Sequence, residues 1–274
     1  MVERISDGIN SPLRYAGGKF YARKSILQYF PKHYHYAEPL SGGASLFFAK
    51  EKVEYNWLND IDEELVNTFR IMRDHPEELI KKLMNEEANK DRHSYYKNEF
   101  RPRNDIDRAA RWYYLNRTSY SGIMNMHNCY WGYGDKYSMR PENWPRSIRQ
   151  ASKKLQDVRI TQLDFEEVIA QLEDKTFVFI DPPYMNSDHD KFYTHTFSYN
   201  DHLRLCSMLF KHRRRLDFVL TYDNSDEIKS LYHWSAQIER EWNYTISRTD
   251  DQKGKTDVKG KRHKGKELFI LNIL

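Results

Sequence analysis

Phe177-Val178-Phe179-Ile180-Asp181-Pro182-Pro183-Tyr184 is the stretch on which the reading of this 274-residue chain turns. Four apolar residues in a row read as a buried strand. That strand delivers a carboxylate, two prolines and a phenol ring to its carboxyl end. The prolines stiffen the backbone. The result is a small, rigid, half-apolar pocket that suits a flat base with an exocyclic amine. The carboxylate accepts one amine hydrogen, a backbone carbonyl accepts the other, and the ring stacks on the base. The plainer alternative is a turn, because Asp-Pro opens turns and a tyrosine after one often only packs.

Two upstream stretches extend the pattern. Tyr36-Ala37-Glu38-Pro39-Leu40-Ser41-Gly42-Gly43-Ala44-Ser45 reads as a strand, a glycine turn and a helix start, with glycines that let backbone approach a ligand. A second strand, over 53–58, runs into Asn59 and Asp60. A carboxylate about twenty residues past a glycine turn is placed for ribose hydroxyls. The glycines do not follow G-x-G-x-x-G, which speaks against a dinucleotide. Earlier, Gly17-Gly18-Lys19 invites a phosphate-loop reading, but Leu13 stands where its first glycine belongs and Phe20 where Ser or Thr belongs. What remains is a ligand-covering segment, with Tyr15 as an aromatic face and Lys19 as a cation for a carboxylate.

Composition sets wider bounds. The length allows one α/β domain plus a smaller one. A net charge of +4 is too modest to announce nucleic acid, so local clusters matter more. Two cysteines are too few for a disulfide framework or a structural zinc site, which fits a reducing compartment. The polar start argues against a signal peptide, and no apolar run is long enough to span a membrane. His189, His195 and His202 sit among Asp188, Asp190 and Asp201, yet a mobile loop closing on a base is the better reading than a metal site, so no metal is expected.

Periodicity places helices over 20–29, 63–74, 76–83, 109–116, 144–155, 166–172, 199–215 and 226–232. Strands fall over 34–37, 53–58, 158–161, 177–180, 218–221, 236–246 and 268–274. Residues 85–107 are polar without strand period, and 118–143 read as loop or irregular hairpin.

In chain order the motifs are R-Y-A-G-G-K at 14–19, E-P-L-S-G-G-A at 38–44, L-N-D at 58–60, L-N-R-x-x-Y-x-G at 115–122 and D-P-P-Y at 181–184. Together they resemble the Dam-type adenine-N6 DNA methyltransferases, from Pro12 to Phe269. The resemblance implies a Rossmann-like α/β methyltransferase sheet, formed by 1–66 and 157–274, with a mainly helical and loop target-recognition domain inserted at 67–156. It implies S-adenosylmethionine as cofactor, held by Tyr15, Ala16, Gly17, Lys19, Glu38, Pro39, Ser41, Gly43, Ser45, Asp60, Ile61, Asp164, Phe165 and Asp181. Asp181, Pro182, Pro183 and Tyr184 would be catalytic, with Tyr184 and Phe197 about the base.

The implied substrate is double-stranded DNA, whose adenine must be extruded to expose its amine. Tyr120 falls where the family carries a ring that fills the gap, packing under the loop being the rival. Asn116 and Arg117 would contact phosphates or brace the loop. Asn125 is a candidate for reading an adenine edge. Arg140, Arg146, Arg149, Lys153 and Lys154 form one basic cluster. Lys253, Lys255, Lys259, Lys261, Arg262, Lys264 and Lys266 form another that would track phosphates. Gly122 to His127 lacks the arginine of GATC readers, a departure that speaks against that target. Cytosine-N4 or RNA-adenine transfer, and a DNA-binding protein without activity, are the alternatives. A cytoplasmic monomer of bacterial, archaeal or phage origin, with a cognate restriction endonuclease as a possible partner, completes the expectation.

Overall fold

A computed structural model describes residues 8–15, 17–134, 136, 138–185, 194–243 and 264–273, without the side chains of 242, 243, 264 and 265. Its strands are β1 His35–Glu38, β2 Tyr55–Asn59, β3 Arg159–Thr161, β4 Phe177–Ile180, β5 Asp217–Asp223, β6 Ala236–Asn243 and β7 Lys264–Asn272. They form one sheet in the order β3-β2-β1-β4-β5-β7-β6. The first five are parallel, and β7 lies antiparallel between β5 and β6. This is the mostly parallel, Rossmann-like α/β sheet expected from the sequence.

The apolar run 177–180 explains the layering. Phe177 and Phe179 point to one face and Val178 and Ile180 to the other, and all four are buried. A strand buried on both faces needs helices on both. On the first face lie α2 (Ser45–Ala49), α3 (Glu63–Asp74), α4 (Pro76–Leu83), α6 (Asp105–Thr118) and α7 (Trp144–Leu155). On the second lie α8 (Phe165–Gln171), α9 (Tyr199–His212) and α10 (Asp226–Leu231). The short α1 (Arg23–Leu27) packs beside α2, and α5 (Lys90–Ser94) leads into a π-helical turn at Tyr95–Glu99.

Local chemistry sets the ends. Asp62 caps α3 by accepting from Glu64 N at 3.0 Å and Leu65 N at 3.1 Å, and Leu65, Phe69 and Met72 recur on its buried face. Pro76 opens α4, where its missing N–H costs nothing. Asn104 caps α6 by accepting from Asp107 N, so that helix starts four residues earlier than its apolar spacing indicates. Trp144 is fully buried against the edges of Tyr113 and Tyr114 at 5.6 and 5.8 Å. Its burial contributes on the order of 3 kcal/mol.

Residue 67, the expected start of the insertion, lies inside α3, and the helices of 67–156 share one apolar cluster with the sheet. Among the described residues, 118–143 hold one bridge, Ser119 to Trp131, and short 3-10 turns at Tyr120–Gly122 and Pro141–Asn143. Cys129 and Cys206 are buried free thiols. Among the described residues no helix is long and apolar enough to cross a membrane. From β1 the chain moves outward to β2 and β3, then returns to β4 on β1's other side. The carboxyl ends of β1 and β4 therefore flank a switch point, where such sheets hold ligands.

Candidate active site

The cleft is built on three strand ends. Glu38 ends β1, is 2% exposed, and accepts from the Tyr36 hydroxyl at 2.6 Å and from Phe47 N at 2.8 Å. Burial pushes its carboxyl up to about 7. The chain then turns through Gly42 (φ 46°) and Ala44 (φ 49°). Tyr15 lies across this turn: a Cβ on Gly42 would stand 2.8 Å from its ring, so close approach and backbone conformation both require glycine there. Asp60 directly follows β2 and accepts from Gly42 N at 2.8 Å and Asp62 N at 3.1 Å. Burial, and then the Asp62 charge, push Asp60 up to about 6. Its two oxygens keep lone pairs for further donors.

Asn59 binds the strand ends to one another. Its amide donates to the Pro39 and Leu163 carbonyls, each at 2.9 Å, and accepts from Thr161 Oγ1 at 2.7 Å and Leu163 N at 2.9 Å. In the sequence Asn59 stands out only as part of the L-N-D motif. An asparagine before the acid is its sole signal in the chain.

At the end of β4, Asp181 takes Lys19 Nζ on both oxygens, at 2.7 and 2.9 Å, and the Thr221 hydroxyl at 2.7 Å. Burial pushes the Asp181 carboxyl up, against the pull of Lys19 and Thr221. Burial alone would lower the Lys19 ammonium, but Asp181 and the buried Glu267 outweigh it and raise it. Lys19 Nζ stands 4.8 Å from the Tyr184 ring centre. Thr221 was not foreseen; nothing local in the sequence marks a threonine forty residues away as the partner of Asp181.

These groups line one cleft. Of the expected residues, Tyr15, Lys19, Glu38, Ser41, Gly43, Ser45, Asp60, Ile61, Asp181, Pro183 and Phe197 line it. Thr194, His195 and Thr196 also line it without having been expected. Thr194 Oγ1 donates to Asp62 at 2.7 Å, which ties Thr194 to the start of α3. Gly17, Pro39, Asp164, Phe165, Pro182 and Tyr184 are not in the lining. Asp164 instead caps α8 and pairs with Arg204 at 2.9 Å, while Phe165 packs behind Phe197 at 5.8 Å. The lining carries three carboxylates, those of Glu38, Asp60 and Asp181, and the Lys19 ammonium. Such a wall favours a cationic, hydroxyl-bearing ligand with a carboxylate of its own. Among the described residues no group of three or more His, Cys, Asp or Glu could hold a metal ion.

The expected duplex contacts separate by burial. Tyr120 is 42% exposed on a tip fixed by its N–H to the Tyr130 carbonyl at 2.8 Å. A Cβ on Gly132 would stand 2.2 Å from Tyr120 Cα, so the two strands of this loop touch there. Arg117 is a correction. It is 5% exposed and donates to the Pro12 carbonyl at 3.3 Å, so it braces and does not face a phosphate. Lys154 is another, because its ammonium is turned inward onto the Phe48 and Lys50 carbonyls. Arg149 is held by Glu77 at 2.7 and 2.8 Å. Asn125 accepts from His127 N at 3.0 Å within a turn, and Arg140 is exposed near Glu142. His202 is buried on the Tyr222 hydroxyl at 2.7 Å. Ala16, Asp188, His189, Asp190, Lys253, Lys255, Lys259, Lys261 and Arg262 lie outside the described residues.

Comparison with known proteins adds sequence-wide matches. The family described as D12 class N6 adenine-specific DNA methyltransferase matches residues 15–246. A type II methyltransferase of Lactococcus lactis subsp. cremoris, M1.LlaDCHI, is 31% identical over 211 residues, 70% of this chain and 73% of the relative. Another, M.CviBI of Paramecium bursaria Chlorella virus NC1A, is 28% identical over 237 residues, 85% of this chain and 90% of the relative. A DNA adenine methylase of Vibrio cholerae serotype O1 (strain ATCC 39541) is 21% identical over 258 residues, 89% of this chain and 92% of the relative.

Proposed function

The chain belongs to the D12 class of N6 adenine-specific DNA methyltransferases, and on that premise we propose that the cleft binds S-adenosylmethionine and that Asp181 to Tyr184 receive the adenine of a DNA duplex. The observation that carries this is the Lys19–Asp181 pair across the cleft from Asp60. One end offers a cation for a ligand carboxylate, the other an acceptor for ribose hydroxyls, and the catalytic tip lies against the first. The bound cofactor supplies a methyl group already activated on a sulfonium.

The chain's own residues then act by alignment. Asp181 accepts one hydrogen of the adenine amine and the Pro182 carbonyl accepts the other. Thr221 holds the carboxylate in its orientation. Tyr184 stacks on the base, and Phe197, in the cleft wall, covers it. This grip turns the nitrogen lone pair toward the methyl. Carboxylate charge stabilises the amine as it becomes cationic, and its proton leaves through Asp181 to water. The region 67–156 carries target recognition. The exposure of Tyr120 supports its reading as the ring that fills the gap left by the extruded base. A monomer acting on DNA in the cytoplasm belongs to the same reading, and so does a cognate restriction endonuclease, the one part of it that the type II names of the relatives favour.

Calorimetric titration with S-adenosylmethionine tests the cofactor reading. The wild-type chain should bind, and Asp60→Ala should weaken binding by about tenfold or more, through loss of an acceptor and of the Gly42 contact. Absence of binding to the wild type, or unchanged affinity in the variant, contradicts it.

A further inference from the structure

Residues 11–15 form a strap between the recognition loop and the cofactor cleft, and both of its edges are bonded. On one edge, Asn116, fully buried at the end of α6, clasps the backbone of Arg14. Its Oδ1 accepts from Arg14 N at 2.9 Å and its Nδ2 donates to Arg14 O at 2.6 Å. Arg117 reaches the Pro12 carbonyl, and the Arg14 guanidinium returns to the Ser119 carbonyl at 3.5 Å and Ser138 Oγ at 3.4 Å. Gly122 (φ 72°) lies against the same peptide, where a Cβ would stand 2.5 Å from Arg14 O. On the other edge, Ser11 Oγ donates to Gly43 O at 2.6 Å, and the Tyr15 ring covers Gly42 and Gly43. Four residues on, the same segment delivers Lys19 to Asp181.

Placing Arg117 here is costly. It is buried, burial lowers its pKa, and among the described residues no carboxylate pairs with it. A buried cation that rests on a carbonyl, with no carboxylate to offset its lost hydration, destabilises the fold. The clasp of Asn116 is tighter still, since one buried amide satisfies both backbone polar groups of Arg14 and so fixes the two successive peptides on either side of its Cα. A shift of the loop 118–132 is therefore passed to Arg14, from there to Tyr15 over the glycine turn, and to Lys19 beside the catalytic carboxylate.

We propose that Asn116 is a positioning residue for the cofactor cleft, and that through it engagement of duplex DNA by the recognition loop tightens cofactor binding. The proposal rests on the cofactor reading given above. Linkage makes the effect reciprocal: cofactor tightens DNA binding by the same factor.

The test measures the affinity of full-length protein for S-adenosylhomocysteine, which cannot react, with and without a saturating long unmethylated duplex. The wild type should show a tightening of about fivefold or more with DNA. In Asn116→Ala that ratio should fall to about one, and Asn116→Asp, which keeps only the acceptor, should lie between. A merely structural asparagine would lower the melting temperature and leave the ratio alone. Gly122→Ala, which presses on the same Arg14 carbonyl, is the second variant and should lose the ratio too. A wild-type ratio of one, or a wild-type ratio retained in these variants, overturns the proposal. Failure of the wild type to bind S-adenosylhomocysteine at all would strike the cofactor reading instead.

Discussion

At the scale of single residues, the site holds carboxylates that burial makes reluctant to ionise. Glu38 is the clearest, held at about 7 where 4.5 is ordinary. A folded pKa above the unfolded one means stability that is full below about pH 4.5 and is lost as pH rises through about 7. Glu38→Gln keeps an oxygen for the Tyr36 hydroxyl and Phe47 N but cannot ionise. Relative to wild type it should gain stability between pH 5 and 8, by about 3 kcal/mol at most. Paired denaturant melts at the two ends of that range check this, and a pH-independent difference would show that Glu38 ionises freely in the fold. Tyr184→Ala should lose most of its turnover while cofactor affinity stays within about twofold, because base–aromatic stacking contributes about 1–3 kcal/mol. Steady-state rates with calorimetry separate the two, and retained turnover argues against stacking.

Among the elements, the recognition loop is the one whose shape depends most on a single atom. With a Cβ at Gly132 meeting the Tyr120 backbone, Gly132→Ala must displace the Tyr120 tip. It should weaken duplex binding by about tenfold or more, and lower the melting temperature as well, since Met124 and Cys129 of the same loop are buried in the core. Fluorescence anisotropy with labelled duplex and a thermal melt decide it; undiminished DNA binding would remove Tyr120 from the interface. The elements themselves were legible where a cap or a proline coincides with an apolar period. α3, α4, α7 and β4 carry such marks in Asp62, Pro76, Pro145 and the run 177–180, and their bounds agree with the sequence reading. α5 and the π-helical turn after it were missed, because a mostly polar stretch whose only apolar residues are the adjacent Tyr95 and Tyr96 has no period to read. β7 starts at Lys264, four residues earlier than expected, because pairing with β6 extends it through residues of poor strand propensity.

For the molecule as a whole, the sheet order places three acidic strand ends around one crevice, and the sequence order of the motifs anticipated that convergence. Glu38, Asp60 and Asp181 were readable because each stands at the carboxyl end of a strand or directly after it. Thr221, Asn59 and the Thr194–Thr196 wall were not, because their partners lie far away along the chain and only the folded sheet joins them. Lys154 was misread, and Arg117 left between bracing and phosphate contact, for the same reason: in a list of basic residues, one turned inward onto a carbonyl looks like one facing a phosphate. The central claim is that Asp181 directs methyl transfer to the amine of an adenine. Its most direct test is nucleoside analysis of unmethylated duplex DNA incubated with labelled S-adenosylmethionine and either wild-type protein or Asp181→Ala. The predicted result is label in N6-methyladenine with wild type and none with a folded Asp181→Ala. Label in N4-methylcytosine, or undiminished N6-methyladenine from the variant, would contradict it.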